Sequence, residues 1–141
     1  MSFIFFNPNP LNKLTGDCVT RAISKFLGLT WDDVYDDLCD YGKMMADNAI
    51  TNEVWQTYLN DLGYDRIKIP DTCPLCYSVK EFCKDHPYGT YLLAVAVNYR
   101  DYFNTSHSGK PIGNHVVCVV NGNYYDTWDS GSEVPIYFWR K

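Results

Sequence analysis

Residues 114–130 read NHVVCVVNGNYYDTWDS, two β-branched or aromatic runs on either side of Asn121-Gly122. Asn-Gly between such runs is the strongest short-range hairpin signal, because a tight primed turn needs positive φ at both central residues. A two-residue turn fixes the register: Val120 faces Asn123, and counting outward puts His115 opposite Trp128. Side chains alternate along a strand, so Asp126 shares a face with Trp128 and lies diagonal to His115. A longer turn would shift that register and bring Asp129 nearer. The segment therefore sets an imidazole, a carboxylate and an indole at one end of a hairpin.

The flanks extend the sheet. GTYLLAVAVNY (89–99) is apolar and β-branched enough for a buried strand, and VPIYFW (134–139) closes the chain as another. Between the first of these and the hairpin, RDYFNTSHSGKPIGN (100–114) reads as a long polar loop.

The first half has a different period. From Cys18 to Leu27 the apolar residues Val19, Ala22, Ile23, Phe26 and Leu27 recur at helical spacing, and Gly28 ends the run. Thr30 with Asp33 three residues on is a capping-box pair, followed by an apolar face of Trp31, Val34, Tyr35 and Leu38. A third helix fits 52–62, with Val54, Trp55, Tyr58, Leu59 and Leu62 inward. A fourth starts at Ser78, with Glu81 at the capping position, and stops before Pro87. A short strand is expected at 66–69, and the Asn-Pro-Asn-Pro segment up to Asn12 as loop. Helices followed by strands give an α+β fold, N-terminal helices packed on a C-terminal antiparallel sheet.

Composition bounds the function. The chain has 141 residues, 46% hydrophobic and 21% charged, which suits one domain over 1–141. A net charge of −5 argues against nucleic-acid binding through phosphate contacts. No apolar run nears the roughly 20 residues that cross a bilayer, so no membrane role is expected. The start MSFIFFNPNP lacks a basic region and is broken by prolines, unlike a signal peptide. The expectation is a cytoplasmic protein with its six cysteines reduced.

Cys18 opens the first helix. Unpaired N–H groups and the helix dipole at such a position favour a thiolate, and a neighbouring imidazolium favours it further. Three histidines are available: His86, His107 and His115. His115 stands on a rigid strand, with Asp126 as the group to orient it and Asp129 as the alternative. Asp129 also suits hydrogen bonding to the Ser-Gly-Ser turn after it. Asp17 reads as an N-cap. Arg21, one turn after Cys18, either supports the thiolate or pairs with an acid. Cys39 and Cys118 read as core positions.

Cys18 at a helix start, His115 at a strand start and Asp126-Thr127-Trp128 on the next strand, in that order, resemble the papain-like cysteine peptidase fold. In papain the third group is the Asn of Asn-Ser-Trp; here the Asp of Asp-Thr-Trp stands there. The resemblance is closer to small phage and bacterial papain-like proteins related to the C39-like peptidases, through GDCVTRAI, KDHPYGTYLL, NHVVCVVNGNYYDTWD and an aromatic last strand. It implies Cys18 as nucleophile, His115 as base, Asp126 as orienting group and Trp128 as cover, with no cofactor. The family's Gln before the Cys, an oxyanion donor, has no counterpart. Asn12, six residues before Cys18, is the substitute candidate, ahead of Asn9.

The resemblance implies a thiol hydrolase that cleaves an amide or isopeptide bond of a protein or peptide. The alternatives are an acyl transferase or deamidase with the same triad, and a non-catalytic viral protein that binds a host factor in the host cytoplasm. No pattern specifies an oligomeric state. A competing constellation is Cys73, Cys76, Cys83 and His86, C-x2-C-x6-C-x2-H, four ligands of zinc-binding type. Its spacing is shorter than in common fingers, and the helix around Cys83 is explained without metal.

Overall fold

The chain begins with a three-residue strand, β1 (Phe3–Phe5), and runs through three helices, α1 (Cys18–Leu27), α2 (Trp31–Met45) and α3 (Asn52–Asp61). After the two-residue β2 (Ile67–Lys68) come α4 (Val79–Asp85) and four strands, β3 (Thr90–Ala96), β4 (His115–Val120), β5 (Asn123–Asp126) and β6 (Val134–Arg140). This computed structural model describes residues 2–70, 77–97 and 114–141.

The hairpin has the expected register. Asn121 (φ 49°) and Gly122 (φ 77°) form the turn, and Val120 pairs with Asn123, Val119 with Tyr124 and Cys118 with Tyr125. β4 leads away from His115 and β5 returns to Asp126, so both lie at one end of the hairpin. The sheet order is β1-β5-β4-β3-β6-β2. β3 and β4 are almost wholly buried, which explains their continuous apolar sequences.

α2, α3 and α4 start where side chains cap them. Thr30 accepts from Asp33 N–H, Thr51 from Val54 N–H and Ser78 from Glu81 N–H. One core lies between α1–α3 and one face of the sheet, with Ile23, Phe26, Leu38, Trp55 and Leu59 against Leu92, Val116, Cys118 and Trp139. The other face carries α4, with Val79, Phe82 and Cys83 against Leu93, Val95, Val117 and Val119.

The mixed helix-and-sheet composition agrees with an α+β class, with corrections. The N-terminal segment is not all loop: β1 pairs in parallel with β5, so the sheet is mixed rather than antiparallel. The helices do not all pack on one side, since α4 covers the opposite face. Cys39 is exposed rather than core, being on the outer side of α2, whose inward residues are Val34, Leu38 and Gly42. Tyr35 and Leu62 are also substantially exposed. Among the described residues, no helix is long and apolar enough to cross a membrane.

Candidate active site

α1 starts at Cys18 without the usual side-chain cap. Asp17 holds the N-cap position, yet its carboxylate makes no cap hydrogen bond. It accepts instead from the Arg21 guanidinium and from Trp31 Nε1, the latter at 2.9 Å. No side chain at the N-cap therefore competes for the first-turn N–H groups around the thiol.

His115, 7% exposed, faces this helix start from the first residue of β4. Its Nε2 lies 2.6 Å from Asp126 Oδ2, which leaves Nδ1 for the thiol. Asp126 is completely buried at the last residue of β5. Oδ2 also accepts from Ser130 Oγ at 2.7 Å, and Oδ1 accepts from Arg21 Nη2 and Thr127 N–H, both at 2.8 Å. Each carboxylate oxygen thus has two donors, so a buried anion is held without an unsatisfied lone pair. The ring of Trp128 sits against the imidazole, centroids 4.9 Å apart.

The electrostatics follow from these contacts. Burial alone would raise the Cys18 thiol. Hydrogen bonding and charge from His115, the Val116 backbone N–H and the charge of Arg21 outweigh it, and its pKa falls below 9.0. Burial also works against a charged imidazole, but hydrogen bonds to Asp126 and Cys18 raise His115 to about 9. For Asp126 burial is overcome by His115, Ser130 and Thr127, and the carboxyl is held below its ordinary value of 3.8. The arrangement favours a thiolate beside an imidazolium. By contrast, burial pushes Cys83 up to about 11 and Cys118 to about 12.

The site opens into a cleft of about 540 Å³. Thr15, Gly16 and Val19 line one side, Ile50, Thr51 and Asn52 at the start of α3 another, and Asn114, Thr127 and Trp128 a third. Trp128 is 39% exposed, so it is both a cover on the imidazole and a cleft wall, not a core residue. Asn114 clamps the strand end beside His115, accepting from Val97 N–H at 2.7 Å and donating to Val97 O at 3.3 Å.

The structure thus brings together Cys18, His115, Asp126 and Trp128. Asp129 is not beside the imidazole: it accepts from Tyr124 Oη and, at 3.0 Å, from Gly131 N–H, the turn role its sequence context allows. Asn12 is not at the cleft either. It is exposed, with φ 55°, and its N–H donates to Asn9 O at 2.9 Å to close a tight turn. Asn9 Oδ1 accepts from Leu11 N–H and Lys13 N–H inside that turn. Of the zinc constellation, Cys83 is in the α4 core and the His86 ring stacks on Phe82 with Nδ1 2.9 Å from Phe82 O. Cys73, Cys76 and the loop histidine His107 lie outside the described residues. Ser130 and Asn114 were not among the expected site residues. A hydroxyl four residues past a carboxylate across a turn, and an Asn just before a strand, carry no periodic signal.

No protein-family model, curated protein or solved structure matches the chain.

Proposed function

We propose that this protein is a cysteine hydrolase of papain-like architecture, cleaving an amide or isopeptide bond in a protein or peptide. The observation that carries the reading is a helix-start thiol beside an imidazole that lowers its pKa and whose far nitrogen lies 2.6 Å from a buried carboxylate. Cys18 attacks the carbonyl carbon as a thiolate. Negative charge moves to the carbonyl oxygen, where the free N–H groups at the start of α1 stabilise it. The C–N bond then breaks, and the His115 imidazolium gives its proton to the leaving amine. Neutral His115 next takes a proton from water, hydroxide attacks the thioester, and Cys18 leaves as thiolate while the acid product departs. Asp126 keeps the imidazole oriented and favours its protonated form throughout.

A non-catalytic binding role is the second reading. It is favoured by Asn12 standing away from the cleft, which leaves no amide side chain on the cleft wall before Cys18 in the place of the family's oxyanion donor. With an amine as acceptor, or a glutamine side-chain amide as donor, the same groups would serve acyl transfer or deamidation.

The test is site-resolved alkylation of the native protein by iodoacetamide across pH, read by mass spectrometry, beside His115→Ala. The hydrolase reading expects Cys18 to react fastest, with an apparent pKa below the ordinary thiol value of about 8.5, and to lose that advantage in the variant. A Cys18 no faster than Cys39, or unaffected by His115→Ala, overturns it in favour of binding.

A further inference from the structure

Arg21 is 3% exposed, and a guanidinium cannot shed its charge in a protein. It must therefore be matched by anions, and two carboxylates match it. Nη1 bonds Asp17 Oδ1, and Nη2 bonds Asp126 Oδ1 at 2.8 Å. Asp17 is tied in turn to Trp31 Nε1, and Asp126 Oδ2 to His115. Donors and acceptors thus alternate from the half-buried Trp31 through Asp17, Arg21 and Asp126 to His115, joining α2, α1, β5 and β4. No buried side-chain polar atom among the described residues is left without a partner.

The geometry points to Arg21 as a positioning residue for the catalytic imidazole: it fixes the plane of the Asp126 carboxylate through one oxygen so that the other faces His115 Nε2, and Asp17 fixes Arg21. Three features support this. Arg21 takes Oδ1 and leaves Oδ2 to His115, a division that a mobile carboxylate would not keep. Asp17 forgoes the capping bond its position offers and holds the guanidinium instead. Asp17 holds the N-cap position of α1, and Cys18 and Arg21 lie within its first four residues, so one helix carries both the nucleophile and the clamp on its partner's carboxylate. The planar fork of arginine can bridge two acids at fixed angles; a lysine ammonium is a point charge without that geometry.

The catalytic consequence rests on the cysteine-hydrolase reading, whereas the geometry does not. The test accordingly uses two readouts. The first is the imidazole N–H proton of His115 in the NMR spectrum, recorded at pH 6 in the Cys18→Ser protein, so that it is independent of thiol activation. The second is the pH profile of Cys18 alkylation in the protein with its cysteine intact. Four variants are compared: Arg21→Met, Arg21→Lys, Asp17→Ala and Asp17→Asn.

The parent is expected to show a downfield, exchange-protected His115 N–H signal. Arg21→Met is expected to lose it and to slow Cys18 alkylation at pH 6 at least tenfold, and Arg21→Lys to restore neither in full. Asp17→Ala is expected to broaden the signal and slow alkylation severalfold. Asp17→Asn keeps an acceptor for Nη1 but loses the charge and turns its amide NH2 toward Trp31 Nε1, and is expected to restore both in part. If Arg21→Met does not fold, the Asp17 pair decides. A folded Arg21→Met with parental signal and profile overturns the inference. So do Asp17→Ala and Asp17→Asn that behave alike, since a purely structural staple does not distinguish them by the state of the ring. If Cys18 of the unmodified protein is not activated, the hydrolase reading falls, and the NMR signal still decides the role of Arg21.

Discussion

His115 is pulled two ways. Burial favours the neutral ring, the carboxylate of Asp126 and the thiol of Cys18 favour the charged one, and the balance puts the imidazole at about 9. Cys18 lies below 9.0, so an ion pair exists between the two values. On the hydrolase reading, turnover needs both charges, thiolate to attack and imidazolium to protonate the amine. Its rate should rise through the Cys18 pKa and fall again near pH 9. Asp126→Asn keeps the size of the side chain and removes its charge. Burial then dominates the ring, so the imidazole pKa should drop and the alkaline limb move to lower pH. The lost imidazolium should also raise the thiol, and Cys18 alkylation should slow at every pH below the raised value. Rates across pH 4–10 for the two proteins check this, and superimposable profiles would refute it. The three central residues were legible because each carries a local sign: a helix start, a strand start and a countable hairpin register. Arg21 was legible only as one of two roles, since its partner Asp126 lies 105 residues away and no spacing encodes that contact.

At the scale of elements, the segment after β5 holds the site from above. Ser130 donates to Asp126, Trp128 lies on His115, and the following Gly131 is pressed against Tyr124 and Lys80. A Cβ on Gly131 would fall on the Tyr124 hydroxyl and within 2.7 Å of Lys80 Cε. Lys80 can swing aside, but Tyr124 is buried and its hydroxyl is bonded to Asp129. Gly131→Ala should therefore push the turn outward at a cost of about 1–3 kcal/mol, typical of overpacking. Because the same turn carries Ser130 and Trp128, Cys18 alkylation should fall as well. Urea midpoints and alkylation rates measured together test it; a loss of stability with unchanged reactivity would uncouple the turn from the site. The elements themselves were mostly legible, as caps at Thr30, Thr51 and Ser78 mark the helices locally. β1 was not. Phe3–Phe5 is only three residues long, is followed by prolines, and becomes a strand through a parallel partner at the far end of the chain. The side of the sheet that α4 covers depends likewise on tertiary packing.

Across the whole molecule, one ionic cluster ties the helical layer to the sheet. Arg21 belongs to α1 and Asp126 to β5, with side-chain exposures of 4% and 0%. A buried pair of this kind is weak evidence of net stabilisation, but breaking it is costly because it strands a charge. The sign of its pH dependence follows from Asp126. Its folded pKa is depressed, so its contribution is fully present above the unfolded value near 3.8 and is lost as pH falls through the lower folded value. Acid should thus loosen the seam between α1 and the hairpin below about pH 4. Asp126→Asn cannot take up that proton. It should start less stable at pH 6, with Arg21 short of one anion, and should lose less between pH 5 and pH 3 than the parent. The difference between the stabilities lost by the two proteins over this range reports the depression, since a tenfold change in acidity corresponds to about 1.4 kcal/mol. Urea unfolding at half-unit steps from pH 6 to pH 3 would show it. Parallel curves would mean that Asp126 gives up its charge without cost to the fold, and that the contacts with Arg21, His115 and Ser130 do not hold the two layers together.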